Sequence, residues 1–314
     1  MPSDPVASGL PSADPPRSVV VIANPAAGRG RAARRIPALE AALDRECSAI
    51  GATWQVLRTG APRDGERLAA RAAEGGASVV AAAGGDGTVS EVVNGLGGTS
   101  ASMGLVPLGT GNDLARHLRL PCDIDEAVRV LLRGQPRRID VGVVAGRRFL
   151  NVAGCGFDAQ VAARVNRGRF LYGTAAYVAA VLQTLASFHA SRLCLTVDGH
   201  RVATSAMLCA VANSSSYGGG MRVAPHATLC DGLLDICIVK EVGRVEFLRA
   251  FPRVFRGEHT THPKVTMLLG AHVVVESDPP MPLLVDGEVI GSTPFEVGVE
   301  PAAMTFMTPA GGVL

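Results

Sequence analysis

Three times in its N-terminal part this chain runs from a short apolar stretch into a glycine-bearing turn and then into a helical pattern. The stretches read "VVVIANPAAGRG", "VVAAAGGDGTVSEVV" and "MGLVPLGTGNDLARHL". The apolar runs are continuous rather than alternating, which marks strands buried on both faces. Between them lie a strand-like "TWQVLRTG" and a helical stretch from Glu66 to Glu74 that ends at Gly75. After them comes the amphipathic "DIDEAVRVLLRG", with Gly134 as its C-terminal cap. Strands alternating with helices over residues 18–138 predict an α/β domain with a parallel sheet and helices on both of its faces.

The pattern changes after that. "RIDVGVVAGRRFLNVAGCGFDA", "LCLTVDGHRVATSAMLCAVANSS", "GLLDICIVKEV", "HVVVESDPPMPLLVDGEVI" and "FEVGVEPAAMTFMTP" are short β-rich runs punctuated by Gly, Asp and Pro. They predict a second, mainly antiparallel sheet or sandwich over residues 139–300. One helix is expected within it, over about residues 174–189. It is strongly apolar and reads as core rather than as a membrane contact. Residues 1–17 are rich in Pro, Ser and Asp and read as a flexible tail without the features of a signal peptide. The 314 residues are 47% hydrophobic, enough for one large core or two ordinary ones.

Composition also excludes some functions. A net charge of +2 provides no basic face for nucleic acid. No apolar run reaches the roughly 20 residues needed to cross a bilayer, so any membrane contact is peripheral. The seven cysteines show no Cys-x-x-Cys spacing, so a zinc cluster or redox dithiol is not expected, and they read as reduced, buried thiols.

In a parallel sheet the loops that follow the strands gather on one edge, where ligands bind. The loops Asn24–Gly30, Gly84–Thr88 and Leu108–Asp113 all have that position. Glycines admit an anion to backbone N–H groups, and a helix beginning directly after such a loop adds its positive end. Thr88 and Glu91 have the spacing of a capping box, and Asn112 can cap the next helix. Thr110 offers a hydroxyl, and Arg116 can reach an anion. Asp86 would repel a phosphate unless a cation, usually Mg²⁺, lies between them; Asp113 is a second acid at the same edge. Lys240 and Lys264 are the only lysines, so a Walker A loop is excluded. The dinucleotide fingerprint and the protein-kinase signatures are missing too. In the second half, Asp231-Gly232 with Asp235, and Asp286-Gly287-Glu288, are acidic turns. They either close hairpins or face the phosphate edge and accept a proton.

Taken in order, "NPAAG", "GGDGTVSEVVNG", "PLGTGNDLAR", "YGGGMRVAPHATLCDGLLDICIV" and "VDGE" resemble the bacterial diacylglycerol kinase-like lipid kinases, relatives of the diacylglycerol, sphingosine and ceramide kinases. The resemblance runs from about residue 18 to the C-terminus. It implies a first domain like that of NAD kinases and phosphofructokinases, a β-sandwich second domain, and a C-terminal segment, 301–314, that packs back on the first. It places ATP on Asn24, Pro25, Ala26, Ala27, Gly28, Thr59, Gly85, Asp86, Gly87, Thr88, Val89, Ser90, Glu91 and Thr110. It implies Mg²⁺ among Asp86, Asp113 and Asp140, and a second, structural cation near Thr228, Asp231 and Leu233. It places the general base in the Asp286–Glu288 turn, with Glu288 in the usual acceptor position and Asp286 close enough to compete. Ser90 departs from the Asn common in this motif.

The implied activity is transfer of the ATP γ-phosphoryl group to a lipid hydroxyl, that of diacylglycerol above all, by a cytoplasmic protein that touches the inner face of the membrane. A homodimer is left open. The rival readings are an NAD kinase-like enzyme with a soluble substrate and a non-catalytic regulator that binds nucleotide or lipid.

Overall fold

The computed structural model describes residues 16–167, 174–311 and 314. The expected tail therefore lies almost wholly outside the described residues. The N-terminal elements are β1 (Ser18–Ala23), α1 (Arg31–Ser48), β2 (Thr53–Arg58), α2 (Asp64–Glu74), β3 (Val79–Gly84), α3 (Asp86–Gly95), β4 (Ser102–Pro107), α4 (Asp113–His117) and α5 (Ile124–Arg133). Their strands are parallel, in the order β2-β1-β3-β4.

The continuous apolar runs explain why this sheet is covered twice. In β1, Val19, Val21 and Ala23 face a core built with Ile36, Leu39 and Leu43 of α1 and Leu131 of α5. Val20 and Ile22 face the opposite core, with Ala69 of α2 and Val92 and Leu96 around α3. Successive strand residues point to opposite faces, so only a run that is apolar throughout can serve both cores.

The remaining elements are β5 (Gln135–Val144), β6 (Arg147–Phe149), β7 (Val152–Gly156), α6 (Phe157–Arg167), α7 (Thr174–Ser187), β8 (Ser191–Val197), β9 (His200–Ala212), β10 (Leu234–Lys240), α8 (Arg244–Ala250), β11 (Val265–Gly270), β12 (His272–Asp278), β13 (Pro282–Val285), β14 (Glu288–Ser292) and β15 (Phe295–Thr308). Their pairings with one another are antiparallel. The α/β class followed by mainly antiparallel β structure is the one the sequence predicts. On α7, Ala180, Val181 and Leu185 pack with Phe157 and Met207, so one face of this helix is core, while Gln183, Ala186 and Ser187 are exposed.

β15 joins the two halves. It begins beside β12, runs along β5, and meets β4 in parallel where Phe306 lies opposite Met103. One hydrogen-bonded sheet therefore passes through both halves, and Phe306 and Leu314 sit in the core of the first.

Two local expectations are corrected. Helix α3 begins at Asp86, with Gly85 as N-cap, so Thr88 lies inside the first turn and forms no capping box. Asn112 precedes α4 with φ of 51°, and its side chain caps nothing forward; its Oδ1 accepts from the Gly109 N–H instead. The cysteines are all unpaired, but they are not uniformly buried: Cys122 and Cys230 are exposed.

Candidate active site

The three glycine loops interlock at the carboxyl edge of the parallel strands. The Leu108 and Gly109 amides both donate to the Gly84 carbonyl, at 2.9 and 3.0 Å. Asn24 Nδ2 donates to Thr88 Oγ1 at 3.1 Å, and Asn24 Oδ1 accepts from the Ala26 amide. Gly28, at φ 59°, is closed over by the Leu108 carbonyl, 2.7 Å from where a Cβ would stand. A Cβ on Gly109 would stand 2.4 Å from Gly85 Cα. That obstacle is backbone and has no rotamer to yield. Gly109→Ala is therefore expected to force the second and third loops apart, costing about 2 kcal/mol or more by the overpacking scale. Thermal denaturation and a nucleotide-binding titration should both register the change. The space above Gly87 is open, and the first-turn amides of α3, which have no partner within the helix, lie beside it. Thr110 is exposed and Thr59 half-buried at the same edge.

The acids converge from both halves. Asp86 Oδ1 accepts from the Asp113 amide at 2.7 Å. A Cβ on Gly111 would lie 2.6 Å from Asp86 Oδ2 and 3.5 Å from Asp113 Oδ2, so the two carboxylates border one small space. Asp113 is buried. Arg116 reaches its Oδ1 at 3.1 Å, and the Gly219 amide, from the Gly/Ser loop of the second half, reaches its Oδ2 at 2.7 Å. Burial, with Asp86 nearby, raises the Asp113 carboxyl above the usual range despite these bonds. Arg116 Nη1 is thus engaged by Asp113, while its side chain is 53% exposed.

Asp286 closes the β13–β14 turn at φ 44°, followed by Gly287 at 91°, the left-handed pair of a type I′ hairpin. The hairpin reading therefore describes this turn. Asp286 Oδ1 accepts from the Asn151 and Val152 amides, and Oδ2 from the Leu150 amide, at 3.1–3.2 Å. Burial pushes its carboxyl up to about 6, and the negative charge of Asp86 adds to the rise. Two acids from opposite halves thus feel each other across the junction. Glu288 begins β14 and is exposed.

A raised carboxyl pKa makes a stability prediction. Neutral Asp286 suits the folded site better than ionised Asp286, so its stabilisation is complete below about pH 4 and is lost as pH rises through about 6. The loss is about 3 kcal/mol. Asp286→Asn stays neutral, so its melting temperature should change less than that of wild type between pH 4 and 7. Parallel melting curves across that range test this.

These acids fit a divalent cation. Asp86 Oδ2 accepts no hydrogen bond among the described residues, while both oxygens of Asp113 and of Asp286 do. One carboxylate plus substrate phosphates and water is a usual Mg²⁺ shell. Among the described residues no three His, Cys, Asp or Glu side chains form a metal cluster of their own.

The Asp140 carboxylate accepts from the Gly232 and Ala302 amides, both at 2.7 Å, and its own amide donates to the Leu229 carbonyl. It ties the 229–232 loop to β15. In that loop Asp231 Oδ1 accepts from the Leu233 amide. Thr228 Oγ1 is buried, with the Cys230 thiol as a side-chain partner. Asp235 is pushed up to about 6 by burial and by Asp231. Two carboxyls that repel each other fit a cation.

Other expected ATP contacts have structural duties. Both Glu91 oxygens accept from amides at the start of α2, those of Arg63 and Gly65. Val89 is core and Ser90 is buried.

Several residues at the junction carry no sequence signal of their own. Asn213 donates to the carbonyls of Asp140 and Leu150, and His117 Nδ1 pairs with Ser215 Oγ at 2.8 Å. Asp158 accepts from the Tyr217 hydroxyl at 2.8 Å and is raised by burial. It borders an apolar cavity of about 110 Å³ lined by Phe157, Met207, Phe247 and Phe251. Nothing in the "NSSSYGGG" stretch names these partners.

Residues 18–144 match the family model described as the diacylglycerol kinase catalytic domain. Residues 151–308 match that of the YegS C-terminal NAD kinase beta sandwich-like domain. A diacylglycerol kinase of Mycobacterium tuberculosis is 32% identical over 301 residues, covering 94% of this chain and 96% of that one. A Chromohalobacter salexigens protein named "Probable lipid kinase YegS-like" is 34% identical over 272 residues, covering 85% of each. The crystal structure of a diacylglycerol kinase from Bacillus anthracis superposes with a TM-score of 0.76 at 25% identity, covering 94% of this chain and 98% of that one.

Proposed function

This chain belongs to the bacterial diacylglycerol kinase-like lipid kinases, and we propose that it moves the γ-phosphoryl group of ATP to the free hydroxyl of diacylglycerol, giving phosphatidic acid and ADP. The observation that carries this reading is the interlocked glycine loops bearing the paired Asp86 and Asp113 carboxylates, with the Gly219 amide of the other half bonded to Asp113. Phosphoryl transfer needs a phosphate cradle and a proton acceptor on facing walls.

Residues 18–138 hold the nucleotide in this account, and 139–300 the lipid. The loops at Asn24–Gly28, Gly85–Thr88 and Thr110 present amides and hydroxyls to the phosphates. Their mutual contacts fix them before ATP arrives, so little reorganisation is left for the reaction. Mg²⁺, held through Asp86 and the phosphates, supplies charge neutralisation when bound. Arg116 and the Gly219 amide keep Asp113 oriented behind Asp86.

Glu288 takes the proton from the lipid hydroxyl as the oxygen–phosphorus bond forms and the bond to the ADP oxygen breaks. Asp286 is the positioning residue: three amides occupy its carboxylate, leaving Glu288 as the acid of the turn that is exposed and able to move. The apolar cavity beside Asp158 takes acyl chain. Thr228, Asp231 and the Leu233 carbonyl would hold a second cation, which would brace the loop that Asp140 ties to β15.

No helix of the described residues is long and apolar enough to span a membrane. We place the enzyme at the cytoplasmic surface of the membrane, where its substrate lies. Purified protein offered labelled ATP with diacylglycerol, phosphatidylglycerol, a sphingoid base and NAD in parallel tests the acceptor. Label is expected in phosphatidic acid, and label in NAD instead would overturn the reading.

A further inference from the structure

Residues 242–256 form an amphipathic ridge whose two sides are occupied differently. The inner side, through Phe247, Ala250, Phe251 and Val254, lines the apolar cavity. Phe247 packs against Phe157 at 4.9 Å and stacks on Phe251 at 5.5 Å. The outer side leaves Val245 62%, Leu248 47% and Phe255 46% exposed. These are three of the five large apolar side chains so exposed among the described residues, and they lie on one short segment. Arg244, Arg249, Arg253 and Arg256 stand among them, all exposed. The one acid within the ridge, Glu246, is held by Lys264 Nζ at 3.0 Å, and Glu241 and Glu258 flank it at its two ends. Arg244, Arg249 and Arg253 also line an open groove beside α8.

A monomer seldom leaves several large apolar side chains clustered on its surface without a use for them. Apolar tips interleaved with arginines match the boundary of an anionic bilayer, where the apolar groups enter below the headgroups and guanidinium groups pair with phosphate. A second copy is a poor occupant, because a two-fold contact would set arginines against arginines.

We propose that this ridge, α8 with the 3-10 turn Phe251–Arg256, is the surface by which the protein docks on an anionic lipid bilayer. The inference rests on the lipid kinase reading for its cargo: the segment that meets the membrane is also a wall of the cavity, so a lipid leaves the bilayer beside its acyl site.

The test is flotation with phosphatidylcholine vesicles, with and without phosphatidylglycerol, for wild type, the Leu248→Asp/Phe255→Asp variant and the Arg249→Glu/Arg253→Glu variant. All four substituted side chains are exposed, and circular dichroism verifies folding. Wild type is expected to float with the anionic vesicles and to be released by salt. Each variant should bind about tenfold or more weakly. Turnover of a short-chain, water-dispersed diacylglycerol should stay at the wild-type level in both variants. Vesicle binding that persists in both variants, or that is missing in wild type, overturns the proposal. So does a change in oligomeric state on size exclusion with vesicle binding intact, which would assign the ridge to contact between copies. Ridge-dependent binding by a protein that transfers phosphate to no lipid would retain the docking surface and defeat the catalytic reading.

Discussion

Asp86→Asn is expected to lower turnover by about a thousandfold or more and leave the melting temperature at or above that of wild type. The two effects have one origin. The Asn side-chain carbonyl still accepts from the Asp113 amide, so the 2.7 Å bond that orders α4 against the loop survives. What disappears is a negative charge that Asp113 and Asp286 both feel as repulsion. Without it the unliganded protein relaxes, and both carboxyls ionise more readily. The same charge is what offsets a cation among phosphates, and losing such electrostatic positioning costs catalysis orders of magnitude. Steady-state kinetics with saturating lipid, beside thermal melts, reads both quantities. A variant that is inactive because it is unfolded would show a depressed melting temperature, which this account does not allow.

Glu288→Gln and Asp286→Ala should separate the two acids of the turn. Glu288→Gln keeps the size of an exposed side chain and removes its capacity to take a proton. Turnover is expected to fall about 10²- to 10⁴-fold, the scale of general base catalysis, with the melting temperature and the KM for ATP near wild type. Asp286→Ala strands the Leu150, Asn151 and Val152 amides, and unsatisfied buried donors cost about 1–3 kcal/mol each. That variant should lose stability and activity together. If Glu288→Gln turns over normally while a folded Asp286→Asn is inactive, the acceptor is Asp286 and the assignment within the turn reverses.

The parallel half of the molecule was legible because its physics is local. A strand buried on both faces must be apolar at consecutive positions, and a loop that admits backbone to an anion must shed side chains. Both requirements appear in "VVAAAGGDG". The close approach of Gly109 to Gly85 follows from the same need, although no spacing announces which glycines will touch. Thr88 and Glu91 show where local reasoning failed. Their spacing satisfies a capping box, yet the helix starts at Asp86, Thr88 is claimed by Asn24, and Glu91 by the start of α2. The partners of Asp140, Gly232 and Ala302, lie far along the chain. Nothing near Asp140 in the sequence records that β15 brings them to it. The Asp286 turn reads as a hairpin in sequence, and only the fold shows three distant amides closing on it. The ridge at 242–256 was equally silent, since burial of one side and exposure of the other depend on where β9, β10 and α6 lie.

The most direct test of the central claim is phosphoryl transfer itself: γ-labelled ATP with Mg²⁺ and dispersed diacylglycerol, comparing wild type with Asp86→Asn. Label is expected in phosphatidic acid from wild type, at least about a thousandfold less from a variant that melts no lower, and none in either case without a divalent cation. Equal labelling by the two proteins, or a wild type that labels no lipid alcohol, would contradict it.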